Sequence, residues 1–457
     1  MIPIVLLAAT LASAADWPRF RGPNGSGVSG DEGAPPVEFG PEKNVLWKAP
    51  VPFGQSSPIV VDGRLYLTAT SGEDLITLAY EAASGKLLWR RSLKRAHTHK
   101  TYKANDGASP TPTADAGGVY SFFADFGLIA YSPSGKERWR MPLGPFDNFY
   151  GMAASPVLSN GMVYLLCDQV RGSYLLAVDA ANGRERWRAV RDGMGESWST
   201  PVIYKDQVIA VGSKRVDSYH ASTGEPRWWI PISSIGAMGS PAIHEGRLVV
   251  TTDGSDEPWM PTWAAERTKL DKNGDGRLSS EEFRDDKDWF EHFAWINSSH
   301  DAFIDSTEWN AARVYGSGDY GVASITLDGK GKLDASAVAW RFKRNLPYVP
   351  APVLYRGVLY IVKSGGIVTA LDARTGAVLK QGRTEQAPGD YFSSPIAAGG
   401  RIYVASAEGK VSVIRAGADW EVLRVNDMGE DCLATPALIG GRIFLRTRGA
   451  LFAFGAR

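Results

Sequence analysis

Residues 154–187 read ASPVLSNGMVYLLCDQVRGSYLLAVDAANGRERW, four short apolar runs separated by polar breaks. Pro156–Leu158 leads to an Asn160-Gly161 turn, and Met162–Cys167 is continuously apolar and β-prone. After Gln169–Gly172 comes Tyr174–Val178, then Asn182-Gly183, then a last run closing on Trp187. Asn-Gly between apolar runs is the strongest short hairpin signal, because a type I′ turn needs positive φ at both central residues. The segment is therefore a four-stranded meander. One such sheet cannot bury both of its faces and needs neighbours of its own kind.

The chain supplies them. A small residue followed by proline recurs at Ser57-Pro58, Ser109-Pro110, Ser155-Pro156, Thr200-Pro201, Ser240-Pro241, Ala351-Pro352, Ser394-Pro395 and Thr435-Pro436, in steps of 52, 46, 45, 40, 111, 43 and 41 residues. All but the long step have the period of a propeller blade. A second element closes most units: Ala79…Gly85…Trp89, Ala177…Gly183…Trp187 and Ser218…Gly224…Trp228, with a shortened copy at Ala130…Gly135…Trp139. In Ala370…Gly376 the run ends on Lys380. The glycine suits a positive-φ turn, and the tryptophan on the outer strand is expected to bury its face against the next blade.

This Ala-x-Asp-x-x-Thr-Gly-x-x-x-Trp element resembles the tryptophan-docking motif of quinoprotein-type, PQQ-like β-propellers, and the resemblance covers nearly the whole chain after its N-terminus. It implies the fold. It does not imply catalysis, because the same propeller serves pyrroloquinoline-quinone (PQQ) dehydrogenases and the non-catalytic outer-membrane assembly factor BamB. The last unit has only three strands, and the orphan strand at Val45–Lys48 carries Trp47 where an outer strand would. The expectation is an all-β, eight-bladed propeller of four-stranded antiparallel blades, with the N-terminal strand closing the last blade. It carries a small α-helical EF-hand insertion. The expected division is 1–14 signal peptide, 15–43 N-terminal arm lying on the surface, 44–457 propeller and 256–316 EF-hand pair inserted in blade five.

Ile2–Leu11 is apolar and Ala12-Ser13-Ala14 is a small-x-small cleavage site, which reads as a secretory signal although no Lys or Arg precedes it. No cysteine follows to carry a lipid, and no run approaches ~20 apolar residues. The reading is periplasmic or secreted. Fifty basic residues balance fifty acidic ones, which gives no electrostatic reason for a nucleic-acid partner. Cys167 and Cys432 are read as two unpaired thiols.

The long step contains Asp271-Lys272-Asn273-Gly274-Asp275-Gly276-Arg277-Leu278-Ser279-Ser280-Glu281-Glu282. An EF-hand calcium loop needs oxygen ligands at positions 1, 3, 5 and 12, here Asp271, Asn273, Asp275 and bidentate Glu282, with the Arg277 carbonyl at 7. Gly276 permits the turn at position 6, Leu278 is expected to pack against a partner loop, and Phe283 to continue into a helix. A weaker copy follows at Asn297, Ser299, Asp301, Ala302, Ile304, Asp305 and Glu308. Its uncharged first positions and missing glycine make it a structural partner hand. Exported proteins meet high calcium, so a constitutive structural role is favoured over a sensor.

In this type of propeller the residues just before each small-Pro step gather on one rim around the axis. The rim then holds Gln55, Asn105, Asp106, Tyr150, Met152, Glu196, Trp198, Met238, Tyr348, Tyr391, Glu430 and Asp431, of which Asn105, Tyr150, Glu196, Trp198, Tyr391 and Asp431 are the ligand-binding candidates. Aromatic faces with a few carboxylates and amides suit a neutral or cationic small molecule or a peptide. His97 and His99 have metal-ligating spacing without a third ligand, and read as part of a solvated basic loop. The function expected is that of an exported, monomeric calcium-binding scaffold or binding module contacting a protein or small ligand at this rim. The alternative is a PQQ-dependent dehydrogenase oxidising an alcohol or sugar. The resemblance would then ask for an adjacent-cysteine disulfide and an axial calcium beside the quinone. The chain lacks adjacent cysteines, and its clear calcium motif lies in the insertion.

Overall fold

Proline at the head of a strand cannot donate to a ladder and is at home on a sheet edge. The small-Pro pairs sit there, at the start of the three-residue innermost strands Ile59–Val61, Thr113–Asp115, Val157–Ser159, Val202–Tyr204, Ala242–His244, Val353–Tyr355, Ile396–Ala398 and Ala437–Ile439. The structure, a computed structural model, describes residues 16–30, 33–98, 101, 105–234, 236–297, 299, 301–313 and 316–456. The signal read at 1–14, and His99, lie outside the described residues.

Each innermost strand begins an antiparallel four-stranded blade, eight in all, and blade four gains a short parallel fifth strand, Gly331–Lys332. In blade two the strand is led by Thr111-Pro112. The repeat mark read at Ser109-Pro110 is therefore two residues early, because two small-Pro pairs stand side by side. The Asn160-Gly161 hairpin has positive φ at both residues, as a type I′ turn requires. At Asn182-Gly183 only the glycine does. That turn is wider, with Gly183 N–H donating to Asp179 O at 2.8 Å.

The ring is closed by Val45–Pro50, which pairs with Ala450–Phe454 and sets Trp47 opposite Ala453. Six outer strands place a tryptophan at this same register, opposite a small residue and beside a β-bulge. Each indole N–H donates to a carbonyl of the next blade: Trp47 to Ala82, Trp89 to Pro133, Trp139 to Ala180, Trp187 to Ala221, Trp228 to Leu327 and Trp340 to Ala373, at 2.9–3.2 Å. Where blade six has Lys380, the ammonium pairs with Asp419 at 2.6 Å and lies 5.4 Å from the Trp420 ring of blade seven. Blade seven has Arg424, which pairs with Glu38 of the N-terminal segment at 2.6 Å.

That segment crosses one face of the ring. Trp17 exchanges hydrogen bonds with Val60, Pro18 O accepts from Ala114 N–H, and Gly27 O accepts from Ala397 N–H. It does not merely lie on the surface, because Trp17 and Arg21 are fully buried. Gly22, at φ +65°, passes so close to the Trp17 ring that a Cβ would sit 2.6 Å from it.

The opposite face carries the segments that precede each innermost strand and the connections from second to third strands. Asn148 of one kind donates to Asp168 O of the other at 3.2 Å. The connection of blade five, between Arg247–Thr252 and Gly321–Thr326, holds three helices, α1 (Trp263–Leu270), α2 (Lys287–Ile296) and α3 (Ser306–Arg313). Their core is Met260, Leu270, Leu278, Phe283, Ile296, Ile304, Trp309 and Ala312. Thr262 caps α1 and Asp286 caps α2. Phe283 does not continue into a helix. It lies in a run of turns, and the helix restarts at Lys287 behind its Asp286 cap.

Candidate functional site: the axial cavity and the inserted loops

The residues ahead of the prolines build a belt around the axis. Thr435 N–H donates to Ser57 Oγ, Ser57 N–H to Thr111 Oγ1, Thr111 N–H to Ser155 Oγ, Ser155 N–H to Thr200 Oγ1 and Thr200 N–H to Ser240 Oγ, all at 2.9–3.1 Å. On the other side Ala351 N–H donates to Ser394 Oγ and Ser394 N–H to Thr435 Oγ1, each at 3.0 Å. The belt is interrupted once, at Ala351, which has no hydroxyl to offer Ser240.

Inside the belt is a cavity of about 350 Å³ that all eight of these residues line. Phe20, carried between the buried Arg19 and Arg21, lines it from the face the N-terminal segment crosses. Burial lowers both guanidinium pKa values, to about 10 and about 9, and both still carry charge at neutral pH. At the other end stand Gln55, Asn105, Tyr150, Trp198, Met238 and Tyr348. Tyr348 OH donates to Tyr150 OH at 3.3 Å, a bar across the opening between blades three and six. Tyr150 meets Trp198 edge-on with centroids 5.2 Å apart. Among the described residues, none that lines the cavity is charged.

Of the six candidates, Asn105, Tyr150 and Trp198 come together here. Asn105 Nδ2 is spent on Tyr150 O and Gly151 O at 2.7 and 2.9 Å, and Trp198 Nε1 on Asn148 Oδ1 and Gly151 O at 3.0 and 2.8 Å. Glu196 stands behind the opening, 7% exposed, accepting from Phe149 N–H. Its burial pushes the carboxyl up to about 7, against the Phe149 hydrogen bond and with a smaller push from Asp147. Asp431 pairs with Arg448 at 2.7 Å beside the opening. Tyr391 is 1% exposed and donates to Ala387 O at 2.7 Å, away from the cavity. Met152, grouped with the rim by its position, packs in the core with Phe122 and Phe146. Sequence reasoning missed the belt, Phe20, Phe392 and Leu433. The belt's signal was present, since the small residue before proline is a hydroxyl residue in all but one unit.

The lining does not fit PQQ. That cofactor is a planar tricarboxylate, and among the described residues no lysine or arginine lines the cavity to pair with it. Nor does any carboxylate among the described residues line it to hold a divalent cation beside the quinone. Cys167 and Cys432 are both buried and free. His97 Nε2 lies 3.0 Å from Ala124 O.

The two loops of the insertion pair through Leu278 and Ile304. In the first, Asp271 accepts from Gly274 and Gly276 N–H at 2.7 and 3.0 Å, Asn273 Oδ1 accepts from Asp275 N–H at 2.8 Å, and Asp275 Oδ1 from Arg277 N–H at 2.8 Å. Glu282 reaches back across the loop, accepting from Lys272 and Ser279 N–H at 2.9 and 2.8 Å. Gly276 has φ +83°. In the second loop Glu308 accepts from Ser299 and Asp305 N–H at 2.6 and 3.1 Å, the same clasp. Phe283 and Trp309, at matching places, pack with centroids 6.5 Å apart. Among the described residues, no group of three or more His, Cys, Asp or Glu side chains is gathered as a metal cluster. The donor set of the first loop is nonetheless all oxygen, the chemistry that suits a hard cation.

Fold, docking tryptophans and axial closure define a quinoprotein-type, eight-bladed β-propeller. The chain belongs to the family of the outer membrane protein assembly factor BamB, whose model matches residues 40–171 and 171–457. No curated protein sequence matches it. Among solved structures it is similar to BamB from Moraxella catarrhalis, at 12% identity over 90% of this chain and 98% of that one, with a TM-score of 0.58. It is similar to a europium-containing methanol dehydrogenase at 10% identity, over 97% and 98% of the two chains, with a TM-score of 0.61. A quinohemoprotein alcohol dehydrogenase from Comamonas testosteroni gives 12% identity over 97% and 81%, with a TM-score of 0.56. At these identities the likeness is one of fold. No helix among the described residues is long and apolar enough to cross a membrane.

Proposed function

We propose that this chain is an exported, calcium-binding propeller that acts as a non-catalytic binding or scaffold module through its axial rim. The observation that carries the reading is the axial cavity, uncharged among the described residues, floored by Phe20 and opening beside exposed Tyr348 and beside Tyr150, against which exposed Phe149 packs. Exposed aromatic side chains around a concave site suit recognition. Among the described residues the lining holds no carboxylate, lysine, arginine or histidine, which leaves quinone chemistry without an ionic anchor or a carboxylate base there. A PQQ titration in calcium buffer tests it, followed by dye-linked assays with alcohols and sugars. The expected result is no heat and no dye reduction, and substrate-dependent dye reduction overturns the reading.

The inserted pair is read as EF-hands, with Asp271, Asn273, Asp275, the Arg277 carbonyl and Glu282 holding calcium in the first. Glu282 already spans its loop, so a cation would draw in a side chain that sits at the right place. The second hand serves as its packing partner. The insertion rises on the face where the cavity opens, and a bound ion there stiffens the rim.

A further inference from the structure

We infer that the axial cavity takes an uncharged, hydroxyl-rich small molecule, a cyclic polyol or a small saccharide, held by the hydroxyl belt. The inference rests on the binding-module reading and names the ligand class for it.

A serine or threonine hydroxyl offers one proton and two lone pairs. Each of the seven belt hydroxyls spends one lone pair on a backbone N–H of the neighbouring blade. None donates its proton to a described protein acceptor, all seven residues are more than nine-tenths buried, and all line the cavity. The site therefore presents a circle of groups that can each give one hydrogen bond and take one.

Three ligand classes compete. An ion would enter a low-dielectric space whose lining, among the described residues, holds no opposite charge, and would lose its hydration without a partner. Of the carboxylates near the opening, Glu196 accepts from Phe149 N–H and Asp431 pairs with Arg448. A purely apolar molecule would displace water from the hydroxyls and leave them unsatisfied, the costly case for buried polar groups. A polyol has the same give-and-take at every hydroxyl as the belt, and its C–H faces match the aromatic surfaces of Tyr150, Trp198 and Tyr348 at the opening. The volume of about 350 Å³ lies at the lower end of small-molecule sites, which is the size class of one or two sugar rings.

The test is calorimetry and ligand-observed NMR on the full chain with glucose, myo-inositol, maltose and cellobiose at millimolar concentration, beside phenol and PQQ. At least one polyol should bind. Met238→Trp occupies cavity volume while leaving every belt hydroxyl in the sequence, and should abolish that binding. Thr200→Val should weaken it about tenfold. No polyol binding, or binding unchanged in Met238→Trp, overturns the inference. Phenol binding that Met238→Trp abolishes, with the polyols silent, overturns the ligand class and leaves the binding module standing. PQQ binding in the cavity overturns both.

Discussion

The indole of Trp47 rests on Gly85, the turn glycine of blade one, at a separation that leaves no room for a side chain: a Cβ there would lie 2.5 Å from the ring. Trp47 Nε1 donates to Ala82 O of the same turn at 3.0 Å. The same glycine-under-indole contact joins Trp89 to Gly135, Trp139 to Gly183, Trp187 to Gly224 and Trp340 to Gly376. Only the Trp47 pair closes the circle.

Gly183→Ala should therefore destabilise the protein by about 2–4 kcal/mol, from a left-handed backbone at φ +73° and from overpacking against Trp139. Gly161→Ala, at a similar φ with nothing within 4 Å, should lose only the backbone share. Thermal denaturation of the two variants checks this, and equal losses would refute the docking account.

Trp47→Ala removes a large buried side chain at the seam and should cost about 3–5 kcal/mol. The same change at exposed Trp259 on the insertion should leave the propeller's melting temperature nearly unchanged. Differential scanning calorimetry with limited proteolysis reads both, and the Trp47 variant should be cut first near Val45–Pro50.

Ala351→Ser offers Ser240 N–H the hydroxyl that every other unit supplies to its neighbour. It should stabilise by about 0.5–1.5 kcal/mol, while Thr200→Val, which orphans Ser155 N–H, should cost about 1–3 kcal/mol. Opposite signs in melting temperature are the expected outcome.

The Glu196 carboxyl, raised by burial from its ordinary 4.5 to about 7, makes stability depend on pH in a defined direction. Between those values the unfolded chain has released the proton and the folded one has kept it. Stability then falls as pH rises, by on the order of 3 kcal/mol across the window. Glu196→Gln should abolish that component. Melting temperatures of both proteins at pH 5 and pH 8 test it, and parallel curves would refute it.

Calcium should raise the melting temperature and bind once per chain. Glu282→Ala should abolish both effects, and unchanged calorimetric stoichiometry and affinity would refute the ligand assignment.

The repeat and the ring closure were legible because both depend on short-range chemistry. Glycine at a positive-φ turn and tryptophan a few residues on occur at fixed spacing in the chain. Trp340 escaped because the insertion and the wide turn through Gly331–Lys332 separate it from its unit's other landmarks. The rim was legible only by position along the chain. Asn105, Tyr150 and Trp198 reach the cavity, while Tyr391, at a comparable position, turns into the core and satisfies its hydroxyl on Ala387 O. Which way such a side chain turns depends on neighbours distant in sequence. The hydroxyl belt was visible as composition, but its role depends on each hydroxyl meeting the N–H of a different blade.

The blade that Val45–Pro50 closes has a consequence for biosynthesis. Strand Val45–Pro50 is made long before its partner Ala450–Phe454. Until that moment the first-made strand has no mate and Trp47 lacks the Phe444 ring it packs against at 6.0 Å. A product that stops short of Ala450 thus exposes sheet edges and an indole that quality-control proteases can read, so pairing of these two strands reports that every blade between them has been made.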